Sequence, residues 1–577
     1  MPPGNYYPHM MNTISRPARR LLSLLVVAML LMNGVVALTP HSLRAAGTAP
    51  FASAGPAFQA AEPVVITAQE RSSNATPRGQ QLFRMAGGIN DPVSLDPALG
   101  RDLSTAFLTR QIYRGLTRLT DDLNVDTELA ERIEISPDGT VYTFTLRPDI
   151  TFHNGKPITA HDVAFSLARS VNPATAGGNA GLLAGPSYIP DIIGADAVLA
   201  GETDTLAGVR VLDDRTLEIE LEAPSSTFLT RLASPAVGVV DPEDVTRPEW
   251  WRDPNGSGPF RIVEWVPSSH LSLGRYEGFF AGPPPLEEIR ILYGPSSSQP
   301  FNLYQADVID TTSVPILSAE RAIDPQSPLS DQVTVAPVLA TGYIAFRSDV
   351  EPLDDPHVRR AIQLAFPRHK IAGVTFDGLL LPADGLVPPG MLGRDWPVDA
   401  APYDLEAAKA ELAQSRYGSA AEVPPIQIYT AGGVGSEALR EVLETDLGLQ
   451  VDVIQIEWPE FNAGISAREY PAFELLWGAD YPDPETFLRS LFHSESPDNY
   501  SDYSNPEYDA LLDEAALTLD EDERAALYDQ AQQVLADDNV LIPLYHETRY
   551  TLAKPTVHGL SLTPLGILYL DGVWMEQ

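Results

Sequence analysis

Residues 152–166, FHNGKPITAHDVAFS, place two histidines, a lysine and an aspartate within ten positions, around a glycine and a proline. Such a density of polar groups belongs either to a metal or catalytic site or to a piece of architecture. The spacing favours architecture. Thr159 and Asp162 stand in the Thr-x-x-Asp order of a capping box, ahead of the apolar Val163, Phe165 and Leu167. The acid also suits the positive end of a helix dipole. Asn154-Gly155 predicts a tight turn, and Pro157 stiffens the approach. His153 and His161 fall on different elements, without the i, i+4 spacing that aims two imidazoles at one metal from a helix. The stretch therefore predicts strand, turn and capped helix.

The flanking sequence continues the pattern. Val141–Arg147, VYTFTLR, alternates as a strand after the turn Pro137-Asp138-Gly139. TLEIELE puts Leu217, Ile219 and Leu221 on one face and Glu218, Glu220 and Glu222 on the other, as in an antiparallel sheet with one wet side. Glu287–Tyr293 is a further strand. The later half is more helical: Asp355 caps and Pro356 opens a helix burying Val358, Ala361, Ile362 and Ala365. Leu527, Tyr528, Ala531, Val534 and Leu535 recur at helical spacing. Between them PPIQIYT, GSEALREVLETDLG and LQVDVIQIEW read strand, helix, strand, a unit that normally makes parallel strands.

The whole chain of 577 residues exceeds one small core, so two or three lobes are expected. Its net charge of −40 repels phosphate backbones, which excludes nucleic acid as a partner. The absence of cysteine excludes disulfides, thiolate nucleophiles, Cys-based zinc sites and a lipid-anchored lipoprotein. At the N-terminus Arg16, Arg19 and Arg20 precede the apolar Leu21–Met32, then small residues through Val35 and Ala37. That order predicts a signal peptide over residues 1–37, with an uncleaved anchor as the alternative. Residues 38–80, rich in Ala, Pro, Ser, Thr and Gly, are expected to form a flexible linker.

Three stretches invite chemistry. GVGSEA, Gly433–Ala438, fits the G-x-G-x-x-A of a dinucleotide loop between a strand and a helix, with Glu457 placed to mimic the ribose-binding acid; the motif is short, and chance accounts for it better. HSESPDNYSDYS, His493–Ser504, holds Ser, His and Asp without a nucleophile elbow and reads as loop. WGADYPDPETF, which opens at Trp477, carries the third candidate.

The opening stretch, extended to SPDGTVYTFTLRPDITFHNGKPITAHDVAFSLAR, resembles the signature region of the family 5 extracytoplasmic solute-binding proteins, the peptide- and nickel-type binding components of ABC transporters. The likeness continues in order through PVSLDPALGRD, IYRGLTRL, GSGPFRIVEW, VRRAIQLAF, GLVPPG, WGADYPDPETFL and ERAALYDQAQQVLADDNVLIPLY. It implies an α/β, two-lobed periplasmic-binding-protein fold of the class II or cluster C type, with an extra β-rich subdomain in the first lobe. The expected division is lobe I over 81–342, with the subdomain at about 116–212, lobe II over 343–544, and a return to lobe I over 545–577. The chain would cross between lobes near Tyr343 and Leu544. Carried over residue by residue, Asp480 meets the ligand's ammonium group, Trp477 is a wall, Gly478 and Ala479 offer a backbone edge to an extended peptide, and Tyr481 follows them. A turn residue is the competing role for Asp480. Gly100 and Arg101 would line the cleft from lobe I. Two departures stand out: Pro367 where the family has Asp, and Arg347 where it has Asn, the latter expected beside the hinge and able to alter ligand charge preference.

The resemblance implies a monomeric, non-enzymatic receptor without cofactor or metal, exported across the cytoplasmic membrane to the periplasm or the outer face of the cell membrane, that hands a peptide or related solute to a permease. The rival readings are a secreted enzyme, either a nicotinamide-dependent reductase or a hydrolase, and a binding protein that works without a transporter.

Overall fold

Tyr142, Phe144 and Leu146 are fully buried, and so are Leu217 and Ile219 opposite them, so the two alternating segments pack inward as one sheet face. The computed structural model describes residues 64–67 and 81–576, apart from 101, 295–296 and 376–377. The expected signal segment, most of the expected linker and Arg101 lie outside the described residues. Four linker residues correct that expectation. Val64–Thr67, VVIT, forms a strand paired antiparallel with Arg132–Ile135. All four are β-branched and suit a pleated surface, and they cover an otherwise open sheet edge.

That first sheet runs Val64–Thr67, Ala130–Ile135, Val141–Leu146, Thr216–Glu220, Val209–Asp213, antiparallel throughout. The opening stretch packs against it as expected. Thr151 bridges Pro157, Gly155 takes φ +87° in the turn, and the helix Ala160–Val171 begins with the Thr159–Asp162 capping box. The Thr159 N–H donates to the Asp162 carboxylate at 2.8 Å. His153 spends its ring Nε2 on the Gly258 carbonyl at 3.0 Å, and burial lowers its pKa to about 4. The histidine ties a turn to a neighbouring segment.

A second sheet orders Leu82–Gly88, Glu288–Tyr293, His270–Arg275 and Phe260–Val266, with the first pair parallel. The third sheet joins the lobes. Its central strands are long, Val333–Phe346 and Leu541–Ala553, and they pair along two separate runs. Val333–Pro337 pairs with Thr548–Leu552, Thr341–Ala345 with Leu541–His546, and the ladder breaks between. The outer run packs with Tyr304, Ile309 and Tyr550, and the inner run with the second-lobe cores. The break at Val338–Ala340 and Glu547 thus lies several residues from Tyr343 and Leu544. Both side chains are buried in the cores that the inner run packs against. Beyond it Ile426–Thr430 lies parallel to both Val451–Gln455 and Ala472–Gly478, the parallel unit that the strand-helix-strand pattern predicts.

His546 sits at this junction, 7% exposed, with its Nδ1 2.9 Å from the Thr341 hydroxyl. Burial lowers its pKa to about 4. A ring whose folded pKa is depressed contributes stability that is complete above the ordinary value near 6.5 and is lost as pH falls through 4. The expected loss over that window is about 3 kcal/mol. Urea unfolding at pH 7, 6, 5 and 4 checks it: His546→Gln should remove most of that slope, and an equal slope in both proteins would discard the assignment.

Candidate functional site

The strand Ala472–Gly478 pairs with Ala340–Phe346 along its whole length, but with Ile426–Thr430 only at Ala472 and Phe473. Ala479 donates its N–H to the Leu339 carbonyl at 2.8 Å, which fixes the alternation. The odd residues Leu475, Trp477 and Ala479 bond toward the long strand. The N–H and C=O groups of Leu476 and Gly478 therefore face the opposite edge, where the paired neighbour has already ended. That edge is open: Leu476 is 47% exposed, and an added Cβ at Gly478 would meet only the Ala340 Cβ, at 4.0 Å. Of the Gly478-Ala479 edge expected to pair, Gly478 is thus open together with Leu476, while Ala479 is already committed to the ladder.

Asp480 ends this edge with an exposed side chain. Its N–H donates to the Thr486 hydroxyl at 3.1 Å, and that hydroxyl lies 3.4 Å from its Oδ2. Trp477 donates its indole N–H to the Thr486 carbonyl at 3.1 Å, which pins the ring. Tyr481 is buried and donates to Glu485 Oε2 at 3.2 Å. The turn itself is held by a different acid. Asp483 accepts from the Glu485 N–H at 3.0 Å and pairs with Arg524 at 3.2 Å, both side chains nearly fully buried. Asp480 thus stands at the end of an open backbone edge and is itself tied to Thr486, while Asp483 holds the turn that follows.

Gly100 lies in the other lobe, closing the short helix Pro97–Leu99 that Asp96 caps. Asp96 is held in turn by both terminal nitrogens of Arg169 at 2.7 and 2.5 Å, so the loop entering Gly100 is rigidly mounted. Arg347 is a correction. It follows the long strand at the end remote from Gly478, seven residues beyond Ala340, about 23 Å at the usual rise. Its guanidinium pairs with Asp349 at 2.7 Å and Asp502 at 3.0 Å and donates to the Arg468 carbonyl. These acids raise its pKa and leave it cross-linking loops far from the edge. Arg347→Gln is expected to leave ligand affinity within about twofold while lowering the melting temperature; a larger affinity change on titration would return it to the site.

The glycine-rich loop has its own anion. The Glu474 carboxylate, 7% exposed, accepts from the N–H of Gly435 at 3.0 Å, the N–H of Ser436 at 2.8 Å and the Ser436 hydroxyl at 2.6 Å. It occupies the helix N-terminus where a pyrophosphate would sit. An added Cβ at Gly433 would come within 2.1 Å of that carboxylate, which is why glycine stands there. The His493–Ser504 stretch is a loop tied by Asn499, whose side-chain amide bridges the carbonyls of His493 and Tyr503.

Two lobes joined by paired long strands, with an open strand edge at the junction, match known proteins over most of the chain. Residues 124–499 match the family described as bacterial extracellular solute-binding proteins, family 5. The chain belongs to that family. A probable deoxycholate-binding periplasmic protein of Escherichia coli, YgiS, is 30% identical over 516 residues, 86% of this chain and 94% of that one. The periplasmic oligopeptide-binding protein OppA of Escherichia coli is 28% identical, over 94% of this chain and 99% of that one. Among solved structures, the Escherichia coli murein tripeptide-binding protein MppA superposes with a TM-score of 0.73 at 24% identity, covering 87% of this chain and all of that one. DppA from Helicobacter pylori, in complex with the peptide STSA, gives 0.73 at 24% identity, covering 86% and 98%. This family 5 protein therefore shares their two-lobed fold. Among the described residues, no helix is long and apolar enough to cross a membrane.

Proposed function

We propose that this family 5 protein is the extracytoplasmic receptor of an ABC importer, and that its solute is a peptide or related molecule with a free ammonium group. The open edge of Leu476 and Gly478 running into the exposed Asp480 carboxylate carries that reading. Main-chain pairing accepts any side chain, while the carboxylate selects a cation at one end. Trp477, held by Thr486, walls the approach, and Gly100 faces it from the first lobe. The lobes divide near residues 81–342 and 343–544, with a return over 545–577, and the broken ladder gives them their hinge. Closure over the solute presents a surface to a permease, and the solute leaves unchanged. Glu474 supports the non-enzymatic reading, since it fills the helix end that a nicotinamide dinucleotide needs. A monomer exported by its N-terminal segment completes the proposal.

The name of YgiS brings a second solute class into view. A bile acid has neither an ammonium group nor a peptide backbone, so it would leave both features unused. Calorimetric titration of unfolded and refolded, ligand-free protein with trialanine, N-acetyl-trialanine and deoxycholate separates the two. Trialanine should bind, and acetylation should weaken it by about a hundredfold, since a neutral amide cannot replace the ammonium opposite Asp480. Binding of deoxycholate with no response to either peptide would overturn the proposal.

A further inference from the structure

The two lobes touch through a polar contact next to the proposed site. Arg231, 5% exposed, ends the short helix Phe228–Arg231 of the first lobe, which packs on the core of the β-rich sheet. Its guanidinium pairs with Asp191, donates to the Ser225 hydroxyl at 3.0 Å and the Tyr188 carbonyl at 3.2 Å, and places Nε 3.1 Å from the Thr227 hydroxyl. Thr227 accepts that N–H and donates its own proton across the lobe boundary to Glu485 Oε2 at 3.1 Å. From the second lobe, the Tyr481 hydroxyl donates to the same oxygen at 3.2 Å. One carboxylate oxygen therefore receives a donor from each lobe, with a buried guanidinium behind the first. Apolar contacts accompany it: Leu123 packs on a second-lobe core, and a Cβ added at Gly139 would meet Leu519 Cδ1 at 3.1 Å.

Glu485 is also the residue before Thr486, which holds both Asp480 and Trp477. From this geometry we infer that Glu485 is a positioning residue that couples lobe closure to the ligand site, with Thr227 and Arg231 as its latch in the first lobe. The inference rests on the proposed two-lobe closure. When the lobes part, Glu485 loses the Thr227 donor while Arg231 keeps Asp191, Ser225 and Tyr188. The Arg231 cluster of the first lobe thus stays intact in the open form, and the contact can re-form without refolding. When they close, Thr227 fixes the first turn of the helix Glu485–Phe492 and, through Thr486, the direction of the Asp480 carboxylate. Burial raises the Glu485 carboxyl pKa despite the attraction of Arg231, while Asp191 and Glu485 keep Arg231 charged against its own burial. Both shifts fit a pair pressed together at a closed boundary.

The chain has no cysteine, so one can be introduced in each lobe without background. Spin labels at Glu202→Cys and Gln414→Cys, both exposed positions, report lobe separation in the absence of any ligand. The labelled protein should show a closed population. Thr227→Val keeps shape but removes the donor, and should raise the open-to-closed ratio by about five- to tenfold. Trialanine affinity should fall by no more than the same factor, because a latch acts only through the closed population. Glu485→Ala should do likewise, and the double variant should add little to either. Asp480→Asn, by contrast, should leave the ligand-free distances unchanged. A shift in distances without any trialanine binding would retain the latch and reject the peptide reading. Unchanged distances in both latch variants, with wild-type melting temperatures, would overturn the latch itself. If Glu485→Ala fails to fold, Thr227→Val alone decides.

Discussion

Asp480→Asn is expected to lose two to three orders of magnitude in affinity for trialanine while melting at the wild-type temperature. An ammonium group leaving water on lobe closure needs a fixed opposing charge, and removing one partner of a buried pair typically costs about 3–5 kcal/mol. Asparagine keeps the shape and one acceptor oxygen, so the loss isolates the charge. The structure strengthens the second half of the expectation. Asp483, not Asp480, caps the turn and pairs with Arg524, so the turn survives the substitution. Titration of both proteins with trialanine, alongside thermal melts, is the check. Equal affinities would take Asp480 out of the site, and a collapse in melting temperature would make it a structural turn residue after all.

Much of this architecture is legible in local pattern. The alternation in Val141–Leu146 and Thr216–Glu220 predicts the inward face that the structure buries, because a half-wet sheet must alternate. The capping box at Thr159 and Asp162 and the cap at Asp355 are equally readable, since each satisfies backbone groups within a few residues. Legibility fails where a group's partner lies far along the chain. Nothing local separates Val64–Thr67 from its linker, as its reason for being a strand is the edge of Arg132–Ile135. Arg347 looks like a hinge residue until Asp502, 155 positions later, is seen to hold it. The site divides the same way. The run Trp477–Tyr481 is contiguous and can be read, whereas the Thr227–Glu485 contact spans 258 positions and leaves no trace in spacing. One signal was available in principle: Glu474 and Glu485 are acids embedded in apolar or turn segments, and a buried acid demands a partner.

Glu474→Ala carries the second large effect, and it falls on stability. The carboxylate receives the N–H groups of Gly435 and Ser436 and the Ser436 hydroxyl, with Ser436 fully buried. Truncation orphans three donors at a helix start, where two of them have no intrahelical acceptor. At about 1–3 kcal/mol for each buried donor left unmade, with part relieved by entering water, a loss of about 4 kcal/mol is expected. Gly433→Ala should destabilise by a smaller amount through its 2.1 Å approach to the same carboxylate. Urea unfolding of the three proteins measures both effects. The double variant Gly433→Ala, Glu474→Ala decides the cause, since removing the carboxylate also removes the clash: the alanine at 433 should cost little once Glu474 is gone. Additive losses would mean that the glycine serves some other demand of the loop. Recovery of the stability lost in Glu474→Ala on adding a dinucleotide would instead show that the helix end accepts an external phosphate in place of its own acid.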